Sequence, residues 1–268
     1  MPAYDIIRQK RYEARMKWIM PGLSFCLFLL IWVLGYKYTR YVPSPAAVWK
    51  KLSIIGMEPE TYYTIGVSLR RLFIGLVIGS SLGFVVSLLM ALDKRLERTL
   101  SVYVFISMTM PSLAIALLCL MVFGLSEIGV PVAVAIITFP FITLNLNQGI
   151  KSLDKGQMEM ARIYRVGKMD RLTGIIIPHM APYLFSGVRN AHALGWKIVV
   201  VAEVFTVSSG IGYMFNRAYD NFLLADLVVW VGFFLCVVMF LEYVVLRNLE
   251  KWTFRWRETL SLERSNQN

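Results

Sequence analysis

The residues best suited to chemistry lie in one apolar stretch, 180–203. Arg189, Trp196 and Glu203 are spaced by seven residues and fall on nearly one face of a helix, with His192 one turn from Arg189. Ionisable groups inside a membrane cost at least about 2.5–3.5 kcal/mol on insertion scales, so they face a bundle or a wet cavity and have partners. If this stretch crosses a membrane, the four residues are predicted to line or gate a path through it. The open alternative is that Arg189 and Glu203 lie near opposite ends and pair with neighbouring helices.

Other site chemistries find little support. His179, His192 and Glu203 do not form a metal-ligand pattern such as His-Glu-x-x-His, and no nucleophile pairs with a base in a recognisable motif. The sequence has no Gly-x-x-x-x-Gly-Lys-Ser/Thr phosphate loop. We therefore expect no metal, no cofactor and no hydrolysis of ATP by this chain. The three cysteines, all inside apolar stretches, do not indicate a disulfide framework: Cys26, Cys119 and Cys236.

Composition places these residues in a membrane. Of 268 residues, 57% are hydrophobic and only 17% are charged, which is more apolar surface than a water-soluble core of this size buries. Apolar stretches long enough for a tilted transmembrane helix recur between short charged connectors. The predicted fold is an all-α integral membrane bundle of six helices, at roughly 18–36, 72–92, 101–123, 128–148, 180–203 and 225–247.

Basic residues predict the orientation. Most of the 28 Lys and Arg residues lie in the terminal segments and in the connectors 93–99 and 149–178, which places both termini in the cytoplasm. The net charge of +11 could indicate binding to nucleic acid, but the basic residues cluster between apolar stretches and not on one face, so we attribute the charge to membrane topology. Arg70 and Arg71 fit least well, and would fit better if the second helix began outside, near Tyr62.

Two further patterns concern helix packing. Gly75, Gly79 and Gly83 recur every four residues with Ser87, which predicts a smooth helix face that another backbone can approach closely. Gly187, Ala191 and Gly195 do the same in the fifth span. The Pro-rich external segment 37–64 is predicted to contain a short interfacial helix near 46–55.

The connector 149–178 is the most informative segment, because it is long, polar and compatible with helix. Within it Glu159, Ala161, Ile163 and Val166 interleave with basic residues, which predicts a short amphipathic helix. Such a helix could insert into a groove on a soluble partner or lie on anionic lipid. The basic residues concerned are Arg162, Arg165 and Lys168.

At this point the sequence resembles the permease subunit of a bacterial ABC importer. The cytoplasmic loop of that family carries a Glu-Ala-Ala signature, then a glycine and a distant Leu-Pro. This chain has Glu159-Met160-Ala161 and Ile177-Pro178 in the matching frame. Arg165 stands where the glycine falls by count, with Gly167 two positions later, which predicts an altered turn between the two short helices.

The resemblance covers roughly residues 60–250 and is closest to the branch that serves nitrate, sulfonate, taurine and bicarbonate. The matching residues before the loop are Ser68-Leu69-Arg70-Arg71, Gly75, Pro111 and Phe123-Gly124-Leu125. Those after it are Pro182, Gly187, Arg189, Trp196, Ala202-Glu203 and Ser209-Gly210-Ile211-Gly212-Tyr213.

The resemblance implies a bundle of the type I ABC importer kind in the bacterial inner membrane. It implies a second permease copy, two cytoplasmic ATP-binding subunits, an external substrate-binding protein and a small, anionic cargo. A coupling helix at about 150–175 would contact the ATPases through Glu159, Ala161, Arg162, Arg165 and Gly167.

The implied divisions are an N-terminal tail, first helix and external loop at 1–60, a permease core at 61–250 and a cytoplasmic tail at 251–268. Gly210 and Gly212 would lie in an external loop that closes the path or contacts the binding protein, or is a plain loop. The rival interpretation is a secondary transporter or channel that works without an ATPase.

Overall fold

The structure, a computed structural model, describes residues 3–39, 42–124 and 126–253, which are helical along nearly their whole length. The helices before the long connector are α1 Ala3–Tyr38, α2 Pro45–Met57, α3 Pro59–Leu92, α4 Lys94–Thr109, α5 Ser112–Phe123 and α6 Gly129–Lys151. Those from the connector onward are α7 Lys155–Ile163, α8 Lys168–Arg171, α9 Ile177–Thr206, α10 Ile211–Asp220, α11 Leu224–Phe240 and α12 Arg247–Thr253. Two π-helical turns, Leu172–Ile176 and Leu241–Leu246, lead into α9 and α12.

Contacts divide the chain into two compact units. Among the described residues, one unit comprises those up to Met57 together with Ala218–Val229, and the other comprises those in Glu58–Arg217 and 230–253. All of the predicted site residues belong to the second unit.

The first unit contains the short helix that the sequence predicts near 46–55. This helix is α2, and Lys51 on it forms an ion pair with Asp226 at 2.9 Å. The indole Nε1 of Trp32 donates a hydrogen bond to the Pro43 carbonyl at 3.1 Å, which ties the end of α1 to the segment that leads into α2.

The predicted span 72–92 corresponds to α3, which begins earlier, at Pro59. Pro59 opens α3, because proline has no N–H to satisfy and its fixed φ suits a first turn, and Glu60 follows near the positive end of the helix dipole. This start lies three residues before Tyr62, so Arg70 and Arg71 are inside the helix and not in a connector.

The predicted span 101–123 is wrong as a single helix. The helices α4 and α5 meet at Met110–Pro111 with a bend of 96°. Met110 is extended, with φ −64° and ψ 132°, since the ring of the next proline disfavours a helical residue before it. Gly124 ends α5 at φ +64° and ψ −162°, a conformation that is nearly restricted to glycine.

Long apolar helices with exposed apolar side chains support a membrane location. Within the described residues, three helical stretches are long and apolar enough to span a bilayer, namely Pro59–Leu92, Gly129–Lys151 and Leu224–Thr253, and the bent α4–α5 pair would make a fourth. The helix α9 is 30 residues long but carries several charged residues, which lowers its hydropathy. The count of six spans stays a prediction.

The core of the second unit is built on close contact between α3 and α6. A Cβ atom added at Gly75 would lie 2.6 Å from Cβ of Val134, and one at Gly83 would lie 2.9 Å from the Phe139 carbonyl oxygen. At Gly79 an added Cβ would overlap the Thr138 hydroxyl. The glycine face therefore lets two helix backbones touch, as small residues do in membrane bundles.

The helix α9 packs against the same pair. An added Cβ at Gly187 would lie 3.3 Å from the Ile142 Cα on α6, and one at Gly195 would lie 2.8 Å from Leu72 on α3. The residues between these helices are buried and apolar, including Val130, Val134 and Trp196. Three helices thus form a rigid core that fixes the positions of the charged groups described below.

The substitution Gly79→Val is expected to weaken this core. The added side chain overlaps Thr138 and the α6 backbone, and overpacking of this kind lowers the free energy of unfolding by about 1–3 kcal/mol. Thermal unfolding of the purified protein in detergent measures the effect. Gly66→Ala on the same helix is the control, because an added Cβ there has no atom within 4 Å. Equal unfolding temperatures for the two variants would contradict the packing role of Gly79.

Candidate functional site

Arg71, on α3, is buried between two carboxylates. Its Nη1 donates to Glu203 Oε1 at 2.8 Å and to the Ser209 carbonyl at 2.8 Å. Its Nη2 donates to Glu127 Oε1 at 2.6 Å and to Ser209 Oγ at 2.7 Å, and its Nε donates to Glu127 Oε2 at 3.1 Å. A guanidinium group has five N–H donors, and these contacts use every one of them.

Glu203, on α9, has a side chain that is 0% exposed. Its carboxylate lies 2.8 Å from the Ser68 hydroxyl and accepts the backbone N–H of Gly212 at 3.0 Å. Ser68 Oγ in turn accepts the N–H of Ile211 at 2.9 Å. Gly210 has φ +101°, and a Cβ there would overlap the Glu203 carboxyl, so glycine is required at this turn.

These residues form a complete polar set, here called the Arg71 network: Ser68, Arg71, Glu127, Glu203 and Ser209. Desolvation of a buried ion pair costs more than its Coulomb attraction returns unless further hydrogen bonds satisfy both partners. Both partners are so satisfied here. The network joins α3, α9, the turn between α5 and α6, and the turn before α10.

Glu127 is the accessible member of the network. Its side chain is 55% exposed, whereas that of Arg71 is 1% exposed. Arg70 Nη2 also contacts Glu127 Oε2 at 2.9 Å. Hydrogen bonding to Arg71, together with the charges of both arginines, lowers the pKa of Glu127, which therefore stays ionised at neutral pH.

A second set of charged groups, the Arg189 cluster, comprises Arg189, His192, Trp196, Glu242 and Glu250. Arg189 pairs with Glu242 at 2.6 Å and with Glu250 at 2.9 Å. Trp196 Nε1 donates to His192 Nε2 at 2.9 Å, and His192 Nδ1 lies 3.9 Å from Glu242 Oε2. The cluster therefore connects α9 to the helical stretch that ends with α12.

The structure separates the four residues of the predicted path. Glu203 joins Arg71, while Arg189, His192 and Trp196 join Glu242. Fourteen residues of helix, roughly 21 Å at 1.5 Å per residue, separate Arg189 from Glu203. Both charges pair with neighbouring helices, which is the alternative that the sequence left open, and their role in a path or gate stays a prediction.

The connector is a helix–turn–helix, here called the loop segment, residues 152–171. Asp154 caps α7 by accepting the N–H of Gly156 at 2.9 Å, and Ala161 is buried. Glu159 and Arg162 line a cavity of about 520 Å³ together with Leu88 and Leu92 of α3.

The turn after α7 contains a residue with a left-handed backbone. Arg165 itself has φ +53°, the left-handed conformation, and the N–H of Val166 bonds to the Ala161 carbonyl at 2.9 Å. Arg165 thus adopts a backbone conformation that glycine would favour, and the predicted alteration of the turn stays a prediction. Gly167 has no left-handed φ.

Several residues that bind the predicted site residues were not identified from the sequence. Arg71 was visible as a poorly placed cation, and its burial inside α3 explains that signal. Glu127, Glu242 and Glu250 gave no signal, since carboxylates at helix ends are common and their partners lie more than fifty residues away.

Buried and partnered charges inside long apolar helices, with a polar helix–turn–helix between two of them, define a helical membrane protein. The chain belongs to the family described as binding-protein-dependent transport system inner membrane component, which it matches over residues 60–255. The family shows that this is a permease component of an ABC transporter.

Curated relatives agree with the branch. The permease protein SsuC of Escherichia coli (strain K12), named for aliphatic sulfonates, is 31% identical over 92% of this chain and 93% of its own length. The taurine transport system permease protein TauC of the same strain is 24% identical over 94% of this chain and 97% of its own. Relatives named for nitrate and for bicarbonate also match.

A solved structure supports the fold. The crystal structure of an amino acid ABC transporter with histidines matches with a TM-score of 0.59 at 19% identity, covering 75% of this chain and 97% of that one. The similarity indicates a bundle of the type I importer kind.

Replacement of Glu203 by glutamine is expected to destabilise the protein by about 3 kcal/mol, because Arg71 loses its buried counter-charge. The measurement is thermal unfolding in detergent. Glu250→Gln is the control, since that pair is partly exposed and worth less than about 1 kcal/mol. The double substitution Arg71→Met with Glu203→Met should destabilise the protein by less than the sum of the single substitutions Arg71→Met and Glu203→Met. A double substitution that costs the full sum would contradict the pairing.

The substitution Arg165→Gly is expected to stabilise the loop segment by about 1 kcal/mol, because glycine adopts a left-handed φ without the steric penalty of a side chain. Arg162→Gly, inside α7, should instead destabilise by about 1 kcal/mol. Hydrogen exchange of the α7 amides distinguishes the two. Loss of protection in Arg165→Gly would argue against the turn geometry.

Proposed function

We propose that this chain is the permease subunit of an ATP-driven importer of small oxyanions. The family match and the names of the curated relatives support this class of cargo, which includes sulfonates, taurine, nitrate and bicarbonate. In this proposal the cytoplasmic ATPase subunits hydrolyse ATP, and an external binding protein delivers the solute.

The observation that carries the proposal is the form of the loop segment. Its first helix is held from inside by buried Ala161 and presents an apolar outer surface, with Met160, Ile163 and Tyr164 exposed by 55%, 77% and 75%. Exposed apolar groups on a short capped helix favour insertion into a groove on a soluble partner. Binding of α7 to a lipid surface would not require the turn and second helix that follow it.

Coupling in this proposal is mechanical. Closure of two ATPases on ATP moves α7 as a rigid lever, and α6 and α9, which flank the loop segment directly, transmit the motion. A nucleotide can shift the transporter between inward-open and outward-open states only by its differential affinity for them. Glu159, Arg162, Arg165 and Gly167 are the proposed contacts on the permease side.

The remaining partners follow from the same proposal. The excess of basic residues beside the loop segment supports a proposed orientation in which this segment and both termini lie in the cytoplasm of a bacterial cell. The Arg71 network then lies on the external side, where the turn through Gly210 and Gly212 is proposed to contact the binding protein. A second copy of this chain completes the pathway.

Replacement of Glu159 by alanine is expected to uncouple the transporter. Because Glu159 is exposed on α7, the protein should still assemble with its ATPases, while uptake per ATP hydrolysed falls at least about tenfold, as expected when a charged contact of 1.5–3 kcal/mol is lost. Uptake of radiolabelled taurine and phosphate release, measured on the same proteoliposomes, give this ratio.

Glu60→Ala is the matched control. Glu60 is also an exposed carboxylate, but it lies in the first turn of α3, whereas the last turn of α3 lies beside Glu159. An unchanged ratio in Glu159→Ala would remove Glu159 from coupling. Purification of the unaltered chain without any ATPase subunit, together with uptake that ignores ATP, would instead favour a secondary transporter or channel.

A further inference from the structure

The Glu127 carboxylate is itself an oxyanion held by two guanidinium groups. Arg71 binds it through two atoms, at 2.6 and 3.1 Å, and Arg70 adds a third contact at 2.9 Å. This fork geometry matches any planar or tripodal oxyanion with two oxygens at one end.

The two carboxylates bound to Arg71 differ in accessibility. Glu203 is fully buried and is also hydrogen bonded to Ser68 and Gly212, so it cannot leave without exposing a bare charge. Glu127 is 55% exposed and lies in the short turn between α5 and α6. Departure of Glu127 would leave Arg71 neutralised by Glu203, with Arg70 and part of the Arg71 fork free.

Space for an incoming solute adjoins this pair. A cavity of about 270 Å³ is lined by Glu127 together with Val204, Ser208, Tyr213 and Asn216. Its lining mixes an apolar wall with hydroxyl and amide groups, which suits a small solute that has a charged head and a short apolar part.

We propose that Arg70 and Arg71 form an anion-exchange site, at which the oxyanion end of a solute replaces the carboxylate of Glu127. The inference rests on the proposed function, in that the solute is the importer's cargo. One negative charge enters as another withdraws, so the net charge of the site is unchanged. Because Glu127 is tethered beside the site and competes at all times, binding is weak, as a site through which solutes pass requires.

The test measures binding of methanesulfonate to the permease, purified in detergent with its co-expressed ATPase subunits. Glu127→Gln removes the competing charge at an exposed position and should tighten binding at least about tenfold, whereas Arg70→Gln should weaken it by a similar factor. Glu97→Gln is the control, because Glu97 forms an accessible ion pair with Lys151 that is remote from the site. Isothermal titration gives the affinities.

Equal affinities in the unaltered protein, Glu127→Gln and Arg70→Gln would overturn the site. Tightening by Glu127→Gln that is seen with phosphatidylglycerol and not with methanesulfonate would also overturn it, since the anion would then be lipid. Co-purification of ATPases is scored separately. The expected affinity changes without any ATPase would sustain the anion site and reject the importer, and coupled ATPases with unchanged affinities would do the reverse.

Discussion

A buried guanidinium group shared by two carboxylates is the constraint on which the second unit depends. Arg71 has no access to solvent, so each of its five N–H groups needs an acceptor within the protein. Those acceptors come from α9, from the turn before α6 and from the turn before α10. If α9 moved away, Arg71 and Glu203 would lose their buried ion pair, and this penalty fixes the positions of α3 and α9 relative to each other.

The glycine face of α3 makes the arrangement sterically possible. Contact of α3 and α6 at backbone distance brings α9 close enough for Glu203 to reach Arg71. The same three helices extend from the Arg71 network to the loop segment, because α6 begins two residues after Glu127 and ends just before α7. Two polar regions are therefore connected by one tightly packed core, the structural requirement for the proposed coupling between them.

The loop segment holds an arginine in a backbone conformation that favours glycine. Arg165 has φ +53°, and the N–H of Val166 bonds to the Ala161 carbonyl after the end of α7. The cost of about 1–2 kcal/mol for a left-handed side-chain-bearing residue is small against the capping and burial that hold the rest of the turn. The turn is therefore formed here without a glycine at its left-handed position.

The amino-acid sequence alone determined the membrane class, the family, the glycine packing face and the approximate position of most helices. These features depend on local composition and residue spacing, which can be read directly from the sequence. The break at Met110–Pro111 was also locally encoded, but an apolar run on both sides of the proline obscured it.

Only the tertiary structure decided which charges meet. Arg71 and Glu203 are 132 residues apart in the chain, and Arg189 and Glu242 are 53 apart. The sequence predicts Glu203 and Arg189 on one face of a helix. In the structure their partners belong to different helices, and the two pairs lie toward opposite ends of α9. Pairing inside a membrane is chosen by the need to satisfy a desolvated charge with whichever group the packing brings near, and packing is a property of the whole bundle.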